Sequence, residues 1–259
     1  MISILYVDDE TALLDITKLY IEKTGAFTVD TCTSAEEALQ RISTTAYDAV
    51  VSDYQMPDMD GLEFLKTLRK TEPHLPFILF TGRGREEVAI EALNSGADFY
   101  LQKGGEPKSQ FAELVNKVQQ TVKRRRAELA LQVSEERFRG IFDNAPVGIF
   151  HSTFEGKLID VNPVFARMYG YTTPEEMIAV VNQTSMIEAH YGDPEQRQEI
   201  VAEVNGSGTW HTYEVLFRRR DGSTFMSMMS ARSDPAEHGK TWELEGFVVD
   251  ISEDCSRVL

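Results

Sequence analysis

Cysteine is almost missing from this sequence: Cys32 and Cys255, near opposite ends, are the only two in 259 residues. Thiols so few and so far apart build neither a disulfide framework nor a thiolate metal cluster, so both read as ordinary thiols. Long hydrophobic runs are missing as well. No stretch reaches the roughly 18 apolar residues of a membrane helix. The opening "MISILYVDDE" has no basic segment and no small-residue cleavage site, which reads as a cytoplasmic chain off the membrane. Basic residues are in deficit, 26 Lys and Arg against 42 Asp and Glu, and the net charge of -16 repels nucleic acid and anionic membranes. No P-loop and no helix-turn-helix segment are found. The histidines are His74, His151, His190, His211 and His238, and none is followed by the acid expected of a kinase phosphoacceptor helix. The expectation is a chain that is not an enzyme and has no catalytic output of its own.

What remains is a globular composition, 42% hydrophobic and 26% charged, in a chain long enough for two domains. Up to about residue 122, the apolar runs "SILYV", "FTVDTC", "YDAVVSD", "PFILFTG" and "DFYLQK" alternate with helical patterns. That alternation predicts strand-helix units and a parallel sheet covered on both faces. Ser34 is the expected N-cap before "AEEALQRI", and Gly96 the stop after "EEVAIEALNS". From Pro107 to about Phe142 the chain favours helix, with Phe111, Val115, Val118, Val122 and Leu129 approximating a seam that Arg125 and Gln132 interrupt. The run "KRRR", Lys123 to Arg126, reads as a solvated helix face. Beyond "NAPVGIF", three long alternating segments with the turn "RRDGST" between the first two predict an antiparallel α+β unit.

In an open parallel sheet, ligands sit beyond the carboxyl ends of the strands. Here four predicted strands end on polar groups: Asp8 and Asp9, Asp53, Thr81, and Lys103. Any one aspartate in such a place is as readily an N-cap or loop acid; the coincidence of four strand ends is what points to a site. Crowded carboxylates call for a hard, oxygen-liganded cation such as Mg²⁺. Lys103 and Thr81 suit phosphoryl oxygens, which leaves Asp53 as the nucleophile. Aspartate-nucleophile phosphohydrolases would want a second aspartate two residues on, where this chain has Gln55.

"YVDDE", "VVSDYQMPDMDG", "FTG" and "YLQK", in this order and spacing, resemble the CheY-like receiver domain of two-component response regulators over residues 1–122. The resemblance implies a doubly wound, flavodoxin-like α/β fold with five parallel strands in the order 2-1-3-4-5. It also implies that Asp53 accepts phosphate from a histidine kinase, and that Asp8, Asp9, Asp53 and the backbone carbonyl of Gln55 hold Mg²⁺. Thr81 and Lys103 would contact the phosphoryl group, and Tyr100 would be the aromatic that reports the phosphorylated state. Three positions stand out: Gly104 of "KGG" follows the lysine where the family has proline, and Gln55 and Arg83 stand where side chains influence the hydrolytic water.

Residues 134–252 resemble a PAS sensor domain, through "ERFRGIFDNAPVGIF", "GKLIDVNPVFARMYGYTTPEEM", "RRRDGST" and "GFVVDIS". That implies a five-stranded antiparallel sheet flanked by short helices, with room for a cofactor or metabolite. The flavin-reactive cysteine is missing, and "DPEQRQEIVAEV" lacks a haem-ligating histidine. His190 and His211 read as surface or sheet residues. Met168, Met177, Met186, Met226, Met228 and Met229, with Phe165, Trp210, Phe217 and Phe225, read as core before pocket. The ligand of this half stays unknown.

The expected layout is a receiver at 1–122, a linker helix at 123–133, a PAS domain at 134–252 and a tail at 253–259. The expected function is phosphorelay signalling, with a histidine kinase as phosphodonor, an unknown downstream protein, and a homodimer through the linker helix or PAS domain open. Two alternatives stand beside it: the sensory part of a split or truncated hybrid histidine kinase, and a PAS small-molecule sensor with a vestigial receiver.

Overall fold

The computed structural model describes residues 1–82, 86–205, 207–233 and 243–252, which form two compact units, Met1–Val133 and Ser134–Leu259. Arg83 and the tail with Cys255 lie outside the described residues.

The first unit is a parallel sheet of β1 (Ile2–Val7), β2 (Phe27–Cys32), β3 (Ala49–Ser52), β4 (Phe77–Thr81) and β5 (Phe99–Gln102), in the order β2-β1-β3-β4-β5. The helices α1 (Thr11–Glu22), α2 (Ala35–Thr44), α3 (Gly61–Thr71) and α4 (Glu86–Asn94) join the strands, and α5 (Pro107–Asn144) follows. Every residue of β3 and β4 is buried, so both faces of the central strands are covered. The strand pleat sends alternate residues to opposite layers. Leu5, Val7, Val50, Phe77 and Leu79 join one core with α2 and α3 residues, while Ile4, Tyr6, Val51, Ile78 and Phe80 join a second with Phe111, Leu114, Val118 and Val122 of α5.

Local chemistry ends the helices where the patterns place the breaks. Ser34 accepts from the Glu37 amide at 3.3 Å, and Asp60 accepts from the Leu62 and Glu63 amides at 2.9 and 2.8 Å. Gly96, at φ +95°, lets the Ala97 amide turn back to the Ala92 carbonyl at 2.9 Å. The seam on α5 is shorter than its sequence period. Phe111, Leu114, Val118 and Val122 are buried on the sheet, but Leu129 is 48% exposed, because the sheet beneath the helix has ended. The basic run is largely exposed, as a solvated face would be, and two of its side chains also form surface ion pairs: Arg124 with Asp98 at 2.5 Å and Arg126 with Asp48 at 2.8 Å. Those aspartates also accept strand amides, Asp98 from Phe77 and Asp48 from Ser3, both at 2.9 Å.

The second unit is an antiparallel sheet of β6 (Gly148–Thr153), β7 (Leu158–Val161), β8 (His211–Arg218), β9 (Thr224–Arg232) and β10 (Glu243–Asp250), in the order β7-β6-β10-β9-β8. Helices α6 (Pro163–Met168), α7 (Pro174–Val181), α8 (Met186–His190) and α9 (Pro194–Val204) lie between β7 and β8 in sequence. Period-2 alternation orients β9: Phe225, Ser227, Met229 and Ala231 are buried, while Met228 is exposed. The expected turn carries Gly222 at φ +88°. Asn162 ties this unit's strands to its first helix, accepting from Ile149 and Phe165 amides at 2.9 Å each and donating to the Phe142 and Val147 carbonyls.

Candidate functional site

Four neighbouring strands of the first sheet, β1, β3, β4 and β5, deliver their carboxyl ends to one edge. Asp8 follows β1 and is 1% exposed; Asp53 follows β3 and is 6% exposed; Thr81 closes β4 and is 1% exposed. Lys103 follows β5 and reaches back over β4: its Nζ lies 2.6 Å from Asp8 Oδ2 and 2.8 Å from Asp53 Oδ1. One ammonium therefore bridges two buried carboxylates, which meets the repulsion that burying them together would create.

Each carboxylate is also held by the backbone. Asp53 Oδ2 accepts from the Gln55 amide at 2.8 Å, and Asp8 Oδ1 accepts from the Glu10 amide at 3.0 Å. The Lys103 amide donates to the Thr81 carbonyl at 2.7 Å, which anchors the chain behind the ammonium. The Lys103–Gly104 peptide is trans.

The other acids of "VVSDYQMPDMDG" have structural work. Asp58 takes the left-handed conformation at φ +65°, and Asp60 caps α3. Gly61 is required by a close approach. A Cβ there would run into the Asp53 carbonyl oxygen and lie 2.8 Å from Leu79 Cδ1.

Tyr6 went unnoticed in the pattern of the sequence. Its hydroxyl, fully buried, donates to Asp8 Oδ2 at 2.8 Å, and burial together with the Asp8 charge pushes its pKa far up, so it stays a donor. Its position two residues before Asp8, on the same strand face, is the signal that could have found it. Tyr100 is half-buried, and its hydroxyl is buried with no partner among the described residues. Burial, then the Asp53 charge, raises its pKa.

Asp8 and Asp53 are hard oxygen donors converging on one point, and that chemistry fits a small divalent cation such as Mg²⁺. Asp9 is exposed, and among the described residues no three His, Cys, Asp or Glu side chains are gathered closely enough to hold a metal ion. Gln55 is exposed as well, next to the site by its amide.

In the second unit, His190 is neither a surface nor a sheet residue. It ends α8, is 1% exposed, and has both ring nitrogens engaged, Nδ1 with the Arg218 carbonyl at 2.7 Å and Nε2 with the Tyr171 hydroxyl at 3.0 Å. Neither nitrogen is left over for a haem iron. His211 is on β8, beside Glu203 at 3.2 Å.

Residues 4–118 match the family model of the response regulator receiver domain, and residues 136–204 match that of the PAS domain. The response regulator SaeR of Staphylococcus aureus (strain USA300) is 34% identical over 116 residues, which is 45% of this chain and 50% of that protein. The chain thus spans about half the length of the curated relatives it matches. Among solved structures, the receiver domain of the Francisella response regulator 1452 is 33% identical, covering 48% of this chain and 98% of that one at a TM-score of 0.44. A CheY-like receiver domain protein from Methanospirillum hungatei JF-1 is 32% identical, covering 48% and 98% at a TM-score of 0.43. No helix among the described residues is long and apolar enough to cross a membrane. The chain thus carries a stretch matching a response regulator receiver domain, residues 4–118, followed by one matching a PAS domain, residues 136–204.

Proposed function

We propose that this protein is a phospho-acceptor of a phosphorelay: a histidine kinase transfers a phosphoryl group to Asp53, and α5 communicates the change to the PAS domain. The bridging of Asp8 and Asp53 by Lys103, at 2.6 and 2.8 Å, is the observation that supports this best. In the transfer, a carboxylate oxygen of Asp53 forms the new bond to phosphorus while the phosphorus–nitrogen bond of the donor's phosphohistidine breaks. The electron pair of that bond stays with the imidazole. Lys103 follows the charge onto the phosphoryl oxygens, and the Thr81 hydroxyl donates to one of them. Mg²⁺ would be held by Asp8 and Asp53 with the Gln55 carbonyl, the exposed Asp9 joining them only by turning inward, and would supply the remaining charge neutralisation. Tyr100 reports the new state: with its hydroxyl unpartnered among the described residues, leaving its present position forfeits no hydrogen bond to them. Switching is then a shift between two packings of this edge.

The test is incubation of the chain with acetyl phosphate and Mg²⁺, followed by intact-mass measurement. One phosphoryl group is expected on the wild type and none on Asp53→Asn. Uptake by Asp53→Asn would remove Asp53 as the acceptor.

A further inference from the structure

Along β1 the side chains of Ile4 and Tyr6 enter one layer, and Asp8 continues that face past the end of the strand. The layer around them is apolar, with Leu14, Val51, Phe80 and Val118 buried in it. An aliphatic side chain at position 6 would fill this layer with no polar atom to satisfy. A phenol brings a hydroxyl that is costly to bury unless it is bonded. Tyr6 is 0% exposed, and its one hydroxyl proton goes to Asp8 Oδ2 at 2.8 Å. The backbone that carries the phenol is fixed on both sides, for Tyr6 lies in register with Thr31 of β2 and with Val51 of β3.

The donors on Asp8 decide what its carboxylate has left to give. Oδ2 accepts from Lys103 at 2.6 Å as well as from Tyr6, and Oδ1 accepts from the Glu10 amide at 3.0 Å. An ionised carboxylate offers about four acceptor positions, so three are taken and the open one is on Oδ1. Of the three donors, the ammonium stands on a long flexible stem and is the one a phosphoryl group can draw away. The Glu10 amide and the Tyr6 hydroxyl stay. With one on each oxygen, they fix the rotation of the carboxylate.

We propose that Tyr6 is a positioning residue for a divalent cation at this edge, its hydroxyl holding Asp8 in one orientation toward the cation whether or not Lys103 is on the carboxylate. The proposal rests on the reading of this edge as a cation-assisted phospho-acceptor site. Hydrogen bonds that orient a ligating side chain are ordinarily worth about 10- to 100-fold in metal affinity or activity. Losing the hydroxyl also leaves Asp8 a stronger base, which acts the other way. That effect is the smaller, because the ammonium on the same oxygen and the Glu10 amide are untouched.

The test is cation binding to the full chain, comparing Tyr6→Phe with the wild type. Mn²⁺ is followed by electron paramagnetic resonance of the free ion, and Mg²⁺ by competition against it. Tyr6→Phe keeps the ring and should raise the Mn²⁺ dissociation constant about tenfold or more. Asp8→Asn should lose the site, which locates the bound Mn²⁺ at this edge. Phosphoryl uptake by Tyr6→Phe from acetyl phosphate should be slow at limiting Mg²⁺ and approach the wild-type rate as Mg²⁺ is raised, a split that a damaged fold does not give. The proposal is overturned if Tyr6→Phe binds Mn²⁺ more tightly than the wild type or within about twofold of it. It is equally overturned if the rate deficit is the same at every Mg²⁺ concentration, if Asp8→Asn binds Mn²⁺ like the wild type, or if the wild type binds none. A wild type that binds Mn²⁺ but takes up no phosphoryl group overturns the acceptor reading alone, and the Mn²⁺ comparison then decides on Tyr6. Should Tyr6→Phe not fold by far-ultraviolet circular dichroism, proton NMR of the wild type decides. The buried Tyr6 hydroxyl resonance is expected to shift along the Mg²⁺ binding curve, and a resonance that does not move overturns the proposal.

Discussion

Lys103 Nζ stands 2.8 Å from Asp53 Oδ1, although one whole strand, β4, separates the strands these two residues follow. The contact makes Lys103 the fixed counter-charge of the proposed acceptor. Lys103→Met should slow phosphoryl uptake from acetyl phosphate by about 100-fold, the order seen when one preorganised charge donor is removed. Intact-mass time courses measure it. A rate within a few-fold of wild type would show that the ammonium is a structural tie only.

Gly61 and Gly104 make a matched pair of substitutions. A methyl at Gly61 meets the Asp53 carbonyl and Leu79, whereas nothing lies within 4 Å of one at Gly104. Gly61→Ala should cost about 1–3 kcal/mol and slow uptake at Asp53, because the backbone that carries the carboxylate must move. Gly104→Ala should stay within about 0.5 kcal/mol of wild type. Urea denaturation followed by far-ultraviolet circular dichroism separates the two.

Asp98 accepts the Phe77 amide at 2.9 Å as well as Arg124 at 2.5 Å, and lies 3.8 Å from Arg69. Asp98→Ala strands a strand amide and should cost about 1–3 kcal/mol. Arg124→Ala removes only a side chain that is 58% exposed, and should cost less than about 1 kcal/mol. Equal losses in urea melts would mean that the amide bond contributes little and the ion pair most.

His190 gives the second unit a pH dependence. Burial lowers its pKa below the ordinary 6.5, so the unfolded chain takes up the proton more readily than the folded one. Stability from the neutral ring is complete above about pH 6.5 and is lost as pH falls through that value towards the lower folded one. Both tryptophans, Trp210 and Trp242, fall within the sequence of the second unit, so fluorescence-detected urea melts follow it alone. His190→Gln should flatten the dependence below pH 6.5; an unchanged slope would assign it to other groups.

Much of this was legible in the residues. Alternation of short apolar runs with helical patterns, with Ser34 and Gly96 as punctuation, marked the parallel sheet, because strand period and capping are local properties. The "RRDGST" turn and its flanking alternation marked the β8–β9 hairpin for the same reason. The α5 seam read as too long, since periodicity does not say where the surface beneath a helix stops. His190 was misread because its burial depends on Tyr171 and the Arg218 carbonyl, which are distant in sequence.

The sequence by itself determined the two kinds of sheet and put Asp8, Asp53, Thr81 and Lys103 at strand ends, since strand breaks are written in neighbouring residues. Only the tertiary structure decided which of these groups touch. Lys103 bridges Asp8 and Asp53 while Asp9 stays exposed, Tyr6 holds Asp8 from beneath, and Gly61 is pressed against the Asp53 backbone. It alone showed two nitrogens of the Arg197 guanidinium buried without a partner among the described residues, because a counter-ion's absence is a property of everything packed around a charge.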